Sequence, residues 1–325
     1  MRIRSEGLLF AQECHARRPF DLISRSTCDM ESAVIDFSEL KVGAIINTSS
    51  GGCDTESELE MLHLLKAADV TNCKTWCSEA EQIDRAFAEA AAQKPEVLIV
   101  LGGDGTIRNA AEACTESDTY LLPLPGGTLN MLPQALYGEL SWQDALKNAI
   151  ANPHIKALSA GRTGTKLFFV AAIVGAPGLW MEARESIRER QIVDAVEKSA
   201  VAFRAMFDTK IRYSISSETT GEAEILAIIC PLVSQEMSDS EQALEAAAID
   251  LESAAELFWL ATAAAFGKWR DDASVMLTKT HQVTVQSSKE IPLFLDGERV
   301  KAGKNAEITF VPRAVNVIVP AISNK

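Results

Sequence analysis

At 325 residues with a formal net charge of −14, the chain is long enough for two domains that each bury a core, and its acidity excludes whole-protein attraction to nucleic acid or anionic lipid. Apolar residues at 47% and charged residues at 23% are the balance of a globular protein, not a disordered or fibrous one. The 7 cysteines are scattered and odd in number, which argues against a disulfide framework and for a reducing, cytoplasmic compartment.

Residues 1–38 are polar and weakly periodic and read as a solvated N-terminal extension; the opening "MRIRSEGLLFAQECHARRPF" lacks the long apolar stretch of a secretion signal. No run of about 18 apolar residues follows it to span a membrane. From Val42 the pattern alternates apolar run, polar or glycine-rich turn, helix: "VGAIINTSSGG" then "SELEMLHLLKAA", "EVLIVLGGDGT" then "IRNAAEAC", "LLPLPGGT" then "LNMLPQAL". This alternation predicts a Rossmann-like α/β domain over residues 39–153, with a parallel sheet and its binding turns at the carboxyl edge. Ser141 and Asp144 open one more helix in a capping-box-like pattern. Cys73 and Cys77 are spaced to share one face of a helix, but no second Cys/His pair accompanies them, so a zinc site is not expected.

After Asn152–Pro153 the pattern changes. "KLFFVAAIV", "TKIRYSIS", "AEILAIICPLV", "HQVTVQSS", "IPLFLDG", "AEITFVP" and "AVNVIVP" read as successive strands of a mostly antiparallel β-sandwich over 154–325, whose last segment can return to the first domain. Two helical inserts interrupt it, at 179–207 and 253–269; both read first as core helices and second as the wall of an apolar pocket or a face resting on a bilayer. "SQEMSDSEQALEAAA" reads as a polar link.

Gly102, Gly103, Asp104, Gly105 and Thr106 follow an apolar strand and precede a helix, so backbone amides and a helix amino end converge where an anion can sit. There is no Gly-Lys-Ser/Thr ending, which excludes a Walker loop, and Arg108 stands where a dinucleotide fingerprint has its third glycine. Gly126, Gly127, Thr128 and Asn130 repeat the arrangement one strand later, and Asn47, Ser49, Ser50, Gly51 and Gly52 do so one unit earlier. One glycine turn is usually only a turn; three at one sheet edge point to phosphate.

At these residues the chain resembles the diacylglycerol kinase catalytic domain family, bacterial lipid kinases related to sphingosine and ceramide kinases. The family's motifs stand here as "NTSSGG", "GGDGT", "PGGTLN" and "LDGE", in order across roughly residues 42–320. Gly-Gly-Asp-Gly-Thr alone is shared with NAD kinases and, more loosely, phosphofructokinases; the other elements favour lipid kinases. The resemblance implies ATP held between the two domains by Asn47, Gly103, Asp104, Gly105, Thr106 and Thr128, with Ser49, Gly102, Gly127 and Asn130 completing the turns. It implies a lipid such as diacylglycerol in an apolar pocket, reached by peripheral membrane contact, with Asp296 and Glu298 flanking the reacting hydroxyl. Asp296 is then the candidate base, although "LFLDGER" by itself reads as a hairpin turn in which Asp-Gly serves only the backbone.

With no lysine in the turns, charge neutralisation is expected from Mg²⁺, backbone amides and Arg108. The chain departs from the family at Arg108–Asn109, at Thr48, at Met131–Leu132, and at Ala246–Asp250, where an acidic metal-associated stretch is replaced by alanines. A kinase of a soluble substrate, such as NAD, and a nucleotide- or lipid-binding protein without catalysis are the alternatives. A homodimer is compatible with the sequence, and metal ligands are left unassigned.

Overall fold

The computed structural model describes residues 35–54, 56–115, 117–175, 210–215, 219–234, 237, 241–249 and 275–320. Residues 1–34 of the expected extension, both helical inserts and Asp250 lie outside the described residues. Residues 35–38, counted with the extension above, carry Phe37, whose side chain is buried against Val42, Met61 and Leu65.

The first half runs β1 (Val42–Asn47), α1 (Glu56–Ala67), β2 (Cys73–Ser78), α2 (Ile83–Gln93), β3 (Val97–Gly102), α3 (Asp104–Thr115), β4 (Tyr120–Pro125), α4 (Met131–Tyr137) and α5 (Trp142–Ala151). Its strands are parallel in the order β2-β1-β3-β4. β1 and β3 are apolar runs buried at every position, as interior parallel strands covered on both faces must be. Successive residues serve opposite layers. Ala44, Ile46, Ile99 and Leu101 pack with Met61 and Leu65 of α1 and Leu146 of α5, whereas Ile45, Leu98 and Val100 pack with Ala86 and Ala90 of α2 and Ile107 and Ala111 of α3. Ser141 caps α5, its hydroxyl accepting from the Asp144 amide at 3.1 Å.

Cys73 and Cys77 are on the outer strand β2, not on a helix; pairing with β1 from Val42–Cys73 to Asn47–Ser78 decides the segment. Burial pushes both thiols above their ordinary value, Cys73 to about 11.

The second half continues with β5 (Pro153–Thr163), β6 (Lys166–Phe168), β7 (Ala171–Gly175), β8 (Ile211–Ile215), β9 (Thr219–Ala223), β10 (Ile225–Ile229), β11 (Leu244–Ile249), β12 (Val275–Thr280), β13 (Gln282–Gln286), β14 (Pro292–Leu295), β15 (Glu298–Lys301) and β16 (Asn305–Pro320). The two apolar runs near the end form one strand. β16 pairs parallel with β4 at Val317 and antiparallel with β5 and β13, and its register shifts between Val311 and Val315, beside Pro312 and Arg313 at φ 46°. The first sheet therefore runs on from the α/β half through β16 into β13, β8 and β9.

An antiparallel second sheet, β12-β11-β10-β7-β14-β15, faces it. Between the two lie Phe168, Ile211, Val283 and Ile308 from the first and Val174, Ile228, Leu244 and Leu293 from the second. The architecture is α/β plus β-sandwich. Within it Leu244–Ile249, the end of the expected polar link, is a strand buried at every position between β10 and β12. The expected strand "KLFFVAAIV" is broken into β6 and β7 at Phe169–Val170. No helix among the described residues is long and apolar enough to cross a membrane.

Candidate active site

β1 pairs with β2 on one side and β3 on the other, so the chain reverses direction across the sheet between β1 and β3. Crevices for ligands open at such a reversal, beyond the carboxyl ends of the strands. The turns after β1, β3 and β4 all arrive there and are bonded to one another. The Gly52 amide donates to the Gly126 carbonyl at 2.9 Å, the Gly126 amide to the Gly102 carbonyl at 3.0 Å, and the Gly103 amide to Ser50 Oγ at 3.0 Å. Glycine is required where these chains touch: a Cβ on Gly127 would lie 2.6 Å from Gly103 Cα, and one on Gly126 would lie 2.8 Å from the Gly102 nitrogen.

Several expected site residues are engaged in building this platform. Asn47, buried at the end of β1, donates from Nδ2 to Thr106 Oγ1 at 2.9 Å and accepts from the Ser49 amide at 3.0 Å. Ser49 Oγ is turned away, accepting from the Ala80 amide at 3.0 Å. Asp104 accepts from the amides of Asn130 at 3.0 Å and Met131 at 2.5 Å, capping the amino end of α4. Burial pushes its carboxyl above the ordinary range and the nearby Glu298 charge adds to this, against those two amides. Asn130, at φ 50°, closes the third turn on itself through Gly127. Met131 and Leu132, departures from the family pattern, pack into the core beside α3.

What stays open is the face made by Gly51, Gly103 and Thr128. A Cβ on Gly51 would meet only Thr128 Oγ1, at 4.0 Å, and one on Gly103 would have Gly127 Cα and Ser50 Oγ as its nearest atoms, both at 3.7 Å. At the first turn of α3 the first amide bonded back to the preceding chain is that of Ile107, to the Gly103 carbonyl at 3.0 Å; the Gly105 and Thr106 amides meet no acceptor among the described residues. Two unmatched amides at a helix amino end are an anion site in the making.

The β14–β15 hairpin brings the other two expected residues to this face. Asp296 and Gly297 form its two-residue turn, both at positive φ (46° and 86°), so the Asp-Gly hairpin reading of the local sequence is correct. The Asp296 carboxylate nevertheless leaves the turn. It is 3% exposed and accepts from three consecutive amides running from the β6–β7 break into the start of β7: Phe169 at 2.8 Å, Val170 at 2.9 Å and Ala171 at 3.0 Å. Burial pushes its carboxyl up to about 6, with those amides and Arg108 pulling the other way. Glu298 lies against Gly105, where a Cβ would be 2.3 Å from its Oε1.

Arg108, in the second turn of α3, reaches the same hairpin. It donates from Nη1 to the Leu295 carbonyl at 3.1 Å and from Nη2 to Glu298 Oε2 at 3.0 Å. Of the platform's working parts, sequence reasoning had not singled out Ser50 as the clamp on Gly103, although a serine next to a glycine turn is an ordinary signal for such a bond. The three amides beneath Asp296 leave no such signal.

Among the described residues the donor set does not form a site for a resident divalent ion. No group of three His, Cys, Asp or Glu is arranged for a metal among the described residues. Asp104 and Asp296 both accept from backbone amides, Glu298 is paired with a guanidinium, and Ala246 and Ala247 are fully buried in β11.

Residues 41–162 match the family model of the diacylglycerol kinase catalytic domain. A crystal structure from Bacillus anthracis str. Sterne, named as a diacylglycerol kinase, shares 14% identity with a TM-score of 0.62, covering 87% of this chain and 98% of that one. A second structure from the same organism, given that kinase name provisionally, shares 16% identity with a TM-score of 0.66 and the same coverage. At these identities the likeness is one of fold. The matched stretch, residues 41–162, holds all three glycine turns, so the similarity to that family falls on the platform itself.

Proposed function

We propose that the chain transfers the γ-phosphate of ATP to the hydroxyl of a lipid such as diacylglycerol. The observation that carries this reading is the convergence, at the sheet reversal, of the glycine platform, the two unmatched α3 amides and the Asp296–Glu298 hairpin. In the transfer the hydroxyl oxygen attacks the γ-phosphorus, the bond to the β–γ bridging oxygen breaks, and its electron pair leaves on ADP. Asp296 receives the hydroxyl proton. Its carboxyl near 6 suits a base working at neutral pH, and its Oδ2 carries one amide bond, leaving a lone pair. Glu298 orients the acceptor at the Gly105 turn. Mg²⁺ would enter with the nucleotide and supply neutralisation of charge on its phosphates. A lipid acceptor implies contact with a bilayer surface.

The full chain is incubated with γ-labelled ATP, Mg²⁺ and diacylglycerol-containing vesicles, and the organic phase is counted. Label in the lipid, reduced at least about 100-fold by Asp296→Asn, supports the reading. Label only in the aqueous phase assigns a soluble acceptor instead. A second reading, a nucleotide-binding protein without transfer, is favoured by the depth of Asp296 and by the Arg108–Glu298 pair. Its signature is ATP binding with no transfer to either phase, unchanged by Asp296→Asn.

A further inference from the structure

Arg108 is a cation with unfinished bonding. Its side chain is more than nine-tenths buried, yet Nε has no partner among the described residues, while Nη1 and Nη2 are bonded to Leu295 and Glu298. A guanidinium has five N–H donors in a planar fork, and leaving one buried and unmatched costs free energy that a multi-oxygen anion would recover. One turn earlier on the same face of α3, Gly105 presents an unmatched amide.

A carboxylate already occupies the space between them: Glu298 Oε1 stands 2.3 Å from where a Cβ on Gly105 would be, and its Oε2 accepts from Arg108. Glu298 thus marks an anion position lying between a helix amino end and a fixed guanidinium. Its side chain is 44% exposed and can swing outward, whereas Arg108 is held by the Leu295 carbonyl. Asp104 and Asp296, the other carboxylates of this cluster, are both bonded to backbone amides rather than to Arg108.

We propose that Arg108 is the counter-ion for nucleotide phosphate in this site, exchanging Glu298 for phosphate oxygens, so that nucleotide binds without a divalent cation. The exchange is a substitution of one anion by another around the same donors. Arginine suits it because its fork matches phosphate in two parallel bonds. Release of Glu298 toward the acceptor side then follows nucleotide entry. The proposal rests on the ATP reading above.

The test is a titration of the full chain with ATP in EDTA and again with excess Mg²⁺, for the natural sequence and for Glu298→Gln, which keeps the shape of Glu298 and removes its charge. Expected are dissociation constants in EDTA and Mg²⁺ within about threefold of one another, and an ATP affinity in EDTA raised about tenfold by Glu298→Gln, as removal of a competing charge-assisted bond requires. Arg108→Gln, with folding checked by its far-ultraviolet spectrum, weakens binding by a similar factor. ATP binding that needs Mg²⁺, or that Glu298→Gln leaves unchanged or weakens, overturns the role of Arg108 while leaving the ATP reading in place. No ATP binding under either condition overturns both.

Discussion

Asp296 is held in two ways that act on one residue. Its backbone is forced to φ 46° by the hairpin, and its carboxylate is pulled into the β6–β7 break by three amides. An aspartate tolerates the left-handed turn, and three donors make the buried charge affordable. The balance still leaves its folded pKa raised from 3.8 to about 6, so the folded state holds the proton more tightly than the unfolded chain. By linkage, the stabilisation from this proton is full below about pH 4 and is lost as pH rises through about 6. Asp296→Asn has no such titration. Urea unfolding at pH 4, 5, 6 and 7 should therefore show natural sequence losing stability relative to Asp296→Asn as pH rises, by roughly 2–3 kcal/mol across the window. A gap that moves the opposite way would mean that the amides outweigh burial. The sequence identified Asp296 and Glu298 through a short motif, but not what holds them. Backbone amides carry no residue signature, and the partners of Asp296 lie 125 to 127 positions away.

The three glycine turns form one platform rather than three sites, because each donates to or packs on the next. Two substitutions separate building from binding. Gly127→Ala drives a methyl to 2.6 Å from Gly103 Cα, backbone against backbone, and should lower the denaturation free energy by about 1–3 kcal/mol. Gly51→Ala meets only Thr128 Oγ1 at 4.0 Å, so stability should stay within about 0.5 kcal/mol while ATP affinity falls, as the methyl enters the open face. Paired urea melts and ATP titrations check both. Equal stability loss in the two variants would mean that the Gly51 face is packed rather than open. Parallel strands and their turns were legible because uninterrupted apolar runs such as "VLIVLG" followed by glycines have few other readings. β11 was not, because "LEAAAI" has the composition of a helix or link, and only its place between β10 and β12 makes it a strand. β2 was lost for the related reason that "CKTWCS" lacks an apolar run and is defined by pairing with β1.

At the scale of the molecule, β16 decides whether the two halves behave as one. Its 16 residues place Ile308 in the sandwich core, Val317 against α3 and Ile318 in the layer shared with α1 and α5, so one strand contributes to all three apolar clusters. A sheet that continues through such a strand transmits loss of packing from one half to the other, and the described α/β and β layers are expected to unfold in one step. Ile308→Ala removes buried side-chain atoms from the sandwich alone and should cost roughly 2–5 kcal/mol. Amide hydrogen exchange under conditions of global opening then reads the coupling. In a cooperative molecule the amides of β3, in the α/β sheet, accelerate by the same factor as those of β10, on the order of 100-fold for a 3 kcal/mol loss. Acceleration confined to β10, with β3 unchanged, would show that the register shift at Val311–Val315 uncouples the halves. The site would then depend on the relative position of two independently stable bodies, because Arg108 stands on α3 and Glu298 on β15.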